Sequence, residues 1–454
     1  MAILTEQHAK ELLKKVLSYS KADECEVQLD GTEAGNIRYA RNTVTTSGEA
    51  SDVVLAVQSS FGKQTGVATA NEFDDASLKK VVRRSEELAK LAPENPEHMP
   101  INGPQKYLKA TNYVKSTANV QPVDRAKAAD ASITPSKKNK LICSGYLEDT
   151  VQCLAMMNSK GLFAYNLSTE TNFSVTIRTE DGKGSGWGAR DYADSSKLDT
   201  AAISAIAIEK SIASATAKAM EPGKYTVILE PAASVGLLTN MANAMGQRSA
   251  DEGRSFLSLK AKEGDKKSPI NKLGQKMFDE RVSIYSDPQH PDVPRIPFAN
   301  DGYPVKRIDW VKNGVITNMP NSAYWAKKTN TAYNATSFNP SQFGPDTQII
   351  MEGGDESLAD MIKNTRRGIL VTRLWYIRLL DPQSQMYTGL TRDGTFYIED
   401  GKIKYPVKNF RFNESPIVML NNIEALGKPM RTNGCMIPPM KIRDFTFSSL
   451  SDAV

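Results

Sequence analysis

Over Glu6 to Ser20, apolar residues return at Ala9, Leu12, Leu13, Val16 and Leu17, the spacing that lays one stripe along a helix. Alternation takes over in Cys25-Glu26-Val27-Gln28-Leu29 and predicts a strand with one buried face. Further strands are expected at Asn36 to Thr45, Asp52 to Gln58 and about Gly66 to Ala70, and Leu78, Val81, Val82, Leu88 and Leu91 mark a second helix. The order then returns. A helix covers about Val123 to Ala131, strands follow at Lys140 to Glu148, Val151 to Asn158, Gly161 to Ser168 and Thr171 to Thr179, and a helix runs around Ala201 to Ala217. Two turns sharpen the likeness, Gly62-Lys63-Gln64-Thr65-Gly66 and Gly182-Lys183-Gly184-Ser185-Gly186, each followed by an Asp-rich helix start at Asp74-Asp75 or Asp194-Ser195-Ser196. The pattern predicts a duplicated α-β(4)-α unit, and two such units docked together would leave a cleft suited to a ligand.

These boundaries divide the chain into a first unit over 1–92, a Pro-, Asn-, Lys- and Gly-rich linker or extended loop over 93–122, and a second unit over 123–220. After Glu221-Pro222-Gly223 the texture changes. Lys224 to Leu229 reads as a short apolar strand and Ala232 to Met245 as a helix with Leu237, Leu238, Met241 and Met245 on one side. Beyond them, Asp301-Gly302, Asn313-Gly314, Asp393-Gly394 and Asp400-Gly401 supply the positive-φ pairs of hairpin turns, with one helix expected at about Glu356 to Thr365. The fold class is α+β: duplicated α-β units followed by a β-rich domain over 221–454.

Composition adds mainly exclusions. The 454 residues suffice for two or three cores, and 40% apolar with 24% charged residues is ordinary for a globular chain. The net charge of +5 is spread out, with its densest patches at Lys137-Lys138-x-Lys140, Lys266-Lys267 and Arg366-Arg367, so solvated surface is expected and a nucleic-acid partner is not. No apolar run is long enough to span a membrane, and Glu6, His8, Lys10 and Glu11 give the N-terminus no signal-peptide shape. A cytoplasmic home is expected. Four scattered cysteines, Cys25, Cys143, Cys153 and Cys435, suggest neither a zinc ribbon nor a disulfide framework.

Candidate chemistry is sparse. Gly184-x-Gly186 sits in a strand hairpin with no helix opening directly after it, and Gly62-Lys63 lacks the rest of a phosphate loop. No G-x-S-x-G elbow occurs, and the three histidines, His8, His98 and His290, are far apart. His290 has Asp287 and Asp292 nearby as conceivable metal partners, but a loop histidine is the simpler reading. Cys435 in Asn433-Gly434-Cys435-Met436 is either a reactive thiol or a small buried apolar residue. Asp74-Asp75 and Asp251-Glu252 fit helix starts and turns and carry no acid-base assignment.

With the duplicated units, the turn Asn158-Ser159-Lys160-Gly161 and the run Gly394 to Asp400-Gly401-Lys402-Ile403 and Pro406-Val407-Lys408, the chain resembles the TldD/PmbA family, also called modulator of DNA gyrase. Asp301-Gly302, Asn313-Gly314, Tyr333-Asn334-Ala335 and Arg367-Gly368-Ile369 support the likeness, which runs from about Glu6 to Phe447. The resemblance implies two kinds of subunit in an intracellular metalloprotease. TldD-like chains carry H-E-x-x-x-H on the helix after the first strand of the C-terminal domain, where the histidines and a later cysteine hold zinc and the glutamate activates water. Here that helix is Ala232 to Met245, and Thr239, Asn240 and Ala244 stand where His, Glu and His would be. The chain therefore resembles the PmbA (TldE) type. It implies no catalytic or metal-binding residue of its own, zinc only in a TldD-like partner, and Thr239, Asn240 and Cys435 as a peptide groove or remnant site. The implied partners are a TldD-like subunit in a heterodimer, or a second copy, together with peptide substrates. A non-catalytic peptide- or protein-binding homodimer is the alternative, and an enzyme centred on Cys435 or the His290 loop is a third reading.

Overall fold

A computed structural model describes residues 2–259, 270–339, 344–345 and 348–451; Lys266-Lys267 lies outside them. The N-terminal half contains α1 (Glu6–Leu17), β1 (Glu24–Ala40), β2 (Thr43–Phe61), β3 (Gln64–Ala70), α2 (Asp75–Leu91), a short α3 (Lys115–Ala118), α4 (Pro122–Lys138), β4 (Leu141–Asn158), β5 (Phe163–Thr179), β6 (Ser185–Tyr192) and α5 (Thr200–Ala213). The α+β class holds, and the repeat is present. Each unit is α-β(3)-α, however: in the first, Cys25 to Leu29 and the start of the Asn36 to Thr45 stretch are one long strand, and in the second the four expected strands are the two long ones β4 and β5, followed by β6, which the sequence pattern does not predict. Gly31 to Asn36 and Glu148 to Val151 look like turns in sequence, yet both stretches stay in register on β1 and β4. Polar residues persist there because one face of the sheet meets a cavity.

Nor do the two units leave a cleft between them. They share one six-stranded sheet in the order β3-β2-β1-β4-β5-β6, with β1 and β4 antiparallel from Glu26↔Asn158 to Tyr39↔Gly145. All four long helices lie on one face. Cys25, Val27 and Leu29 pack with Ala9, Leu13 and Val16 of α1 and Leu78, Val81 and Val82 of α2. Farther along β1, Ile37 and Tyr39 pack with Ala129 and Ile133 of α4, beside Phe173, Val175, Ile203 and Ala207. Each fully buried large side chain contributes roughly 1.5–3 kcal/mol.

The repeated Gly-Lys turns now have a structural reason. Gly62 and Gly182 hold positive φ at the turns. Gly66 and Gly186 allow helix to lie against strand: a Cβ at Gly66 would fall 2.2 Å from the Ala89 nitrogen, and one at Gly186 2.0 Å from the Ala207 oxygen. Asp74 caps α2 through the Ala76 and Ser77 N–H groups, as its position predicts. In the second copy the cap of α5 is Asp199, while Asp194 caps only the preceding 3-10 turn.

In the C-terminal half, β7 (Gly223–Leu229) pairs with Arg367–Asp381 and Met440–Leu450. Phe410–Glu414 joins Met440–Leu450 to Met386–Glu399, which pairs back onto Arg367–Asp381 and closes the ring. A second, mixed sheet runs Val315–Ile316, Ile308–Lys312, Ile284–Ser286, Ile350–Met351, Cys435–Ile437, Met430–Thr432. The next helix, α6 (Pro231–Asn243), buries Leu237, Leu238 and Met241 in the large core beneath these sheets. The helix expected near Glu356 is Leu358–Lys363. Asn313-Gly314 and Asp400-Gly401 form hairpin turns, but Asp393-Gly394 lies within Met386–Glu399, at a register shift opposite Val371 to Arg373. Asp393 is buried there, accepting a 2.7 Å bond from Ser185 Oγ of β6 and pairing with Arg373 at 3.3 Å, so it ties the two halves together rather than turning the chain.

Candidate functional site

The helix-free face of the six-stranded sheet meets the C-terminal half in two ways. At one end Leu154, Met156, Leu162 and Ala164 pack on Ile296 and Phe298. Beside that contact the face turns polar and lines an open cavity of about 780 Å³. Its floor follows from strand register: Thr32 aligns with Gln152 and Ser168, Ala34 with Thr150 and Glu170, and Glu148 with Asn172. Side chains of alternate residues share a face, so these polar groups line the cavity while their neighbours serve the helix-covered core.

The opposite wall is α6. Val235, Gly236, Thr239 and Asn240 line the cavity at helical spacing, while Leu237, Leu238 and Met241 point into the core. Gly236 lets Ile377 approach: a Cβ there would sit 2.9 Å from Ile377 Cδ1, and Ile377 also lines the cavity. A third side is the turn Asn433-Gly434, whose φ values of 48° and 66° suit an Asn-Gly hairpin. The turn is fixed from two directions. Gly434 N–H donates to Asp191 Oδ2 at 2.9 Å, and its carbonyl accepts from Arg295 Nη2 at 2.6 Å. Arg431 Nε donates to the same Asp191 oxygen at 2.7 Å, an ion pair with both side chains buried. Burial makes breaking that pair costly, because either partner alone would be an uncompensated charge.

Thr239, Asn240 and Cys435, far apart in sequence, thus line one cavity. Ala244 does not join them. It is the C-cap residue of α6 and packs against the large core. A hydroxyl, a neutral amide and a methyl at these three positions do not fit zinc, and Cys435 alone would be a single ligand. Among the described residues, no three His, Cys, Asp or Glu side chains come together as a metal ion requires. His290 is half-buried in its loop with Nδ1 accepting the Asp292 N–H at 3.2 Å, while the Asp292 carboxylate faces Lys197 at 3.8 Å. The four cysteines are buried and none forms a disulfide.

Sequence reasoning passed over Glu26. It lies on the same helix-free face, in a smaller cavity of about 320 Å³ shared with Gln28, Gln58, Asn102 and Asp301. Burial raises its carboxyl to about 7, against a 3.3 Å bond from Gln28 Nε2, and the charge of Asp301 adds to the rise. Nothing in the alternating Cys25 to Leu29 pattern separates this glutamate from a solvated one. Asn112 was passed over too, inside the stretch read as linker; its carbonyl accepts the Thr169 N–H at 2.8 Å and the residue lines the larger cavity.

Three family models match successive stretches of the chain: PmbA/TldA metallopeptidase domain 1 over residues 25–89, the central domain over 118–215 and the C-terminal domain over 222–449. The chain belongs to the PmbA/TldD metallopeptidase family. It is 20% identical to metalloprotease PmbA of Escherichia coli O157:H7, with 94% of this chain and 93% of that protein covered. A metalloprotease of Methanothermobacter thermautotrophicus is 27% identical over 35% of this chain and 36% of its own length. In fold, the chain is similar to the crystal structure of TldE from Thermococcus kodakarensis, with a TM-score of 0.85, 18% identity, and 97% of this chain and 99% of that one covered. No helix among the described residues is long and apolar enough to cross a membrane.

Proposed function

We propose that this chain is the subunit without a metal site in a two-subunit PmbA/TldD-type peptidase, and that its cavity holds extended peptide for a partner that performs hydrolysis. One observation carries the reading: the helix that forms the cavity wall presents Thr239 and Asn240, groups that bind peptide well and zinc poorly. The partner chain, bearing H-E-x-x-x-H, would supply both zinc and the water-activating carboxylate.

A docking surface for such a partner lies beside the cavity. Trp375, Tyr376, Leu379 and Leu380 are exposed on the strand that carries Ile377. Tyr376 has a φ of 55° at a register shift between Trp375 and Arg378. An aromatic residue in that conformation costs on the order of 1–3 kcal/mol, strain that concentrates at functional positions. The Trp375 and Tyr376 rings lie 5.6 Å apart, and exposed aromatic side chains fit the core of a protein interface.

The test is co-expression with a chain carrying H-E-x-x-x-H, followed by metal analysis and assay on unfolded peptides. Zinc and peptidase activity are expected in the mixed complex and in neither case from this chain alone. A mixed complex lacking both would overturn the reading, as would one tightly held zinc equivalent in this chain by itself. Peptide binding by a homodimer indifferent to the H-E-x-x-x-H chain would establish the non-catalytic alternative.

A further inference from the structure

The smaller cavity on the helix-free face holds a carboxylate with no cation to meet it. The sheet contributes Glu26, Gln28 and Gln58 to its wall, and the C-terminal half contributes Asn300 and Asp301. Gln58 stands directly opposite Glu26 in the β1–β2 register, so the two side chains rise together from one face. The cavity shares no lining residue with the larger one, whose nearest β1 residue, Thr32, is roughly 20 Å along the extended strand from Glu26. Glu26 is 8% exposed, and its only hydrogen bond among the described residues is the 3.3 Å one that Oε1 accepts from Gln28 Nε2, an amide also given to the Asn300 carbonyl at 3.2 Å. Oε2 accepts none, and it is not sealed in but keeps surface on the cavity. The Gln58 amide is likewise unspent among the described residues. Both oxygens of Asp301 accept from neutral groups at 3.0 Å, the Tyr303 N–H and the Tyr333 hydroxyl, which place its charge without cancelling it. Lys160 and His98 go instead to Glu24, at 2.5 Å and 3.6 Å, and no lining residue is basic.

We propose that this cavity is a binding site for a primary alkylammonium group, whose N–H donors meet Glu26 Oε2 and the side-chain carbonyls of Gln58 and Asn300 while its methylenes lie on Met99, Pro100 and Ala323. An ammonium is all donor, and the free groups here include three acceptors. A buried carboxylate without a positive partner is costly, so a bound cation would relieve the burial that, with the charge of Asp301, pushes Glu26 up to about 7. A metal ion is a poorer occupant, because the cavity offers only two carboxylates and Asp301 has both oxygens committed. The pH dependence follows from the same geometry. Tyr107 and Tyr333, which stand beside Asp301, are pushed upward by burial and stay neutral, and an alkylammonium stays charged, so Glu26 is the group that sets it. Only the ionised carboxyl attracts the ligand, and affinity is therefore full above about pH 7 and falls as pH drops below it.

The experiment titrates n-butylamine into the full chain and follows binding by calorimetry. Saturable binding with a Kd on the order of 1 mM is expected at about pH 8, and about tenfold weaker binding at about pH 6. Two analogues separate charge from donors: n-butanol lacks the charge and tetramethylammonium lacks the N–H groups, and each is expected to bind at least about tenfold more weakly than the amine. Glu26→Gln keeps the shape of the side chain and is expected to lose at least about tenfold in affinity for the amine. If that variant does not fold, the pH dependence and the analogues in wild type decide the matter. The amide of N-acetyl-lysine identifies the source of the group: affinity matching that of butylamine assigns the cavity to a lysine side chain, and binding of butylamine alone to a free amine, either of which upholds the proposal. It is overturned if butylamine does not bind by about 10 mM, if n-butanol matches it, or if Glu26→Gln binds within about twofold of wild type. Saturable calcium binding that Glu26→Gln abolishes, without binding of the amine, overturns it in favour of a metal.

Discussion

The two faces of the six-stranded sheet are made from the same strands, residue by alternate residue, yet they differ in what they can lose. On the helix-covered face, Val27, Leu29 and Leu55 are wholly buried and meet other carbon atoms. On the opposite face, Thr32, Thr150, Gln152 and Ser168 meet a cavity. Substitution on the first face should therefore cost folding, and on the second binding. Leu29→Ala gives the largest effect: about 2–5 kcal/mol of stability lost, read as a lower urea midpoint at unchanged slope. A loss below about 1 kcal/mol would mean that the helices collapse onto the strand and that the faces are less different than their packing implies.

Glu26 sharpens the comparison, since it is a charge-bearing side chain buried on the polar face. Its folded carboxyl titrates near 7, above the ordinary value of 4.5. Between those values the folded state holds the extra proton, so stability falls as pH rises from about 4.5 to about 7 and is then level. The total is at most on the order of 3 kcal/mol. Glu26→Gln should flatten that dependence and stabilise the protein at pH near 8 more than at pH near 5, measured by unfolding at both. An unchanged pH slope would assign the titration to other groups.

A smaller loss is expected where helix and strand touch. Gly186→Ala places a methyl group against the Ala207 carbonyl, and Gly66→Ala one against α2 at Ala89 and Ser85. Each should cost about 1–3 kcal/mol by pushing a helix off the sheet, with the thermal midpoint as the measure. Equal losses at the two sites would show that the repeat preserves one packing joint twice. A neutral Gly186→Ala would mean that α5 gives way to the methyl group and that the close approach does not require a glycine.

Much of this was legible in the chain. The apolar stripes of α1 and α2 and the alternation of Cys25 to Leu29 stand out because burial acts on them directly. So does Asn313-Gly314, whose turn demands positive φ at both residues. Strand continuity was not legible: Gly31, Gly35 and the polar run at Glu148 to Thr150 resemble loop sequence, and only pairing with strands remote in sequence keeps them extended. The single sheet was hidden for the same reason, since β1 and β4 are brought together by tertiary contact. At the site, the family resemblance pointed to Thr239, Asn240 and Cys435, which the fold gathers; Ala244 lies one residue past the end of α6 and faces the core. Asn112 and Glu26 gave no signal, because an asparagine in a loop and a glutamate in a strand are ordinary until their surroundings are known.

The smallest expected effect on stability bears most closely on the contrast between faces. Thr150 is half-buried at the centre of the cavity floor, aligned with Ala34 on one side and Glu170 on the other. Thr150→Val keeps the branched shape that suits a strand and removes only the hydroxyl, so unfolding should shift by no more than about 0.5 kcal/mol. The same change takes a hydrogen-bonding group from the floor and should weaken binding of an end-capped peptide of Ala, Ser and Thr by a few-fold, as a net hydrogen bond of about 0.5–1.5 kcal/mol implies. Should Thr150→Val instead unfold the protein while peptide affinity stays constant, the polar face would be a structural surface like its opposite, and the cavity would lose its claim to a ligand.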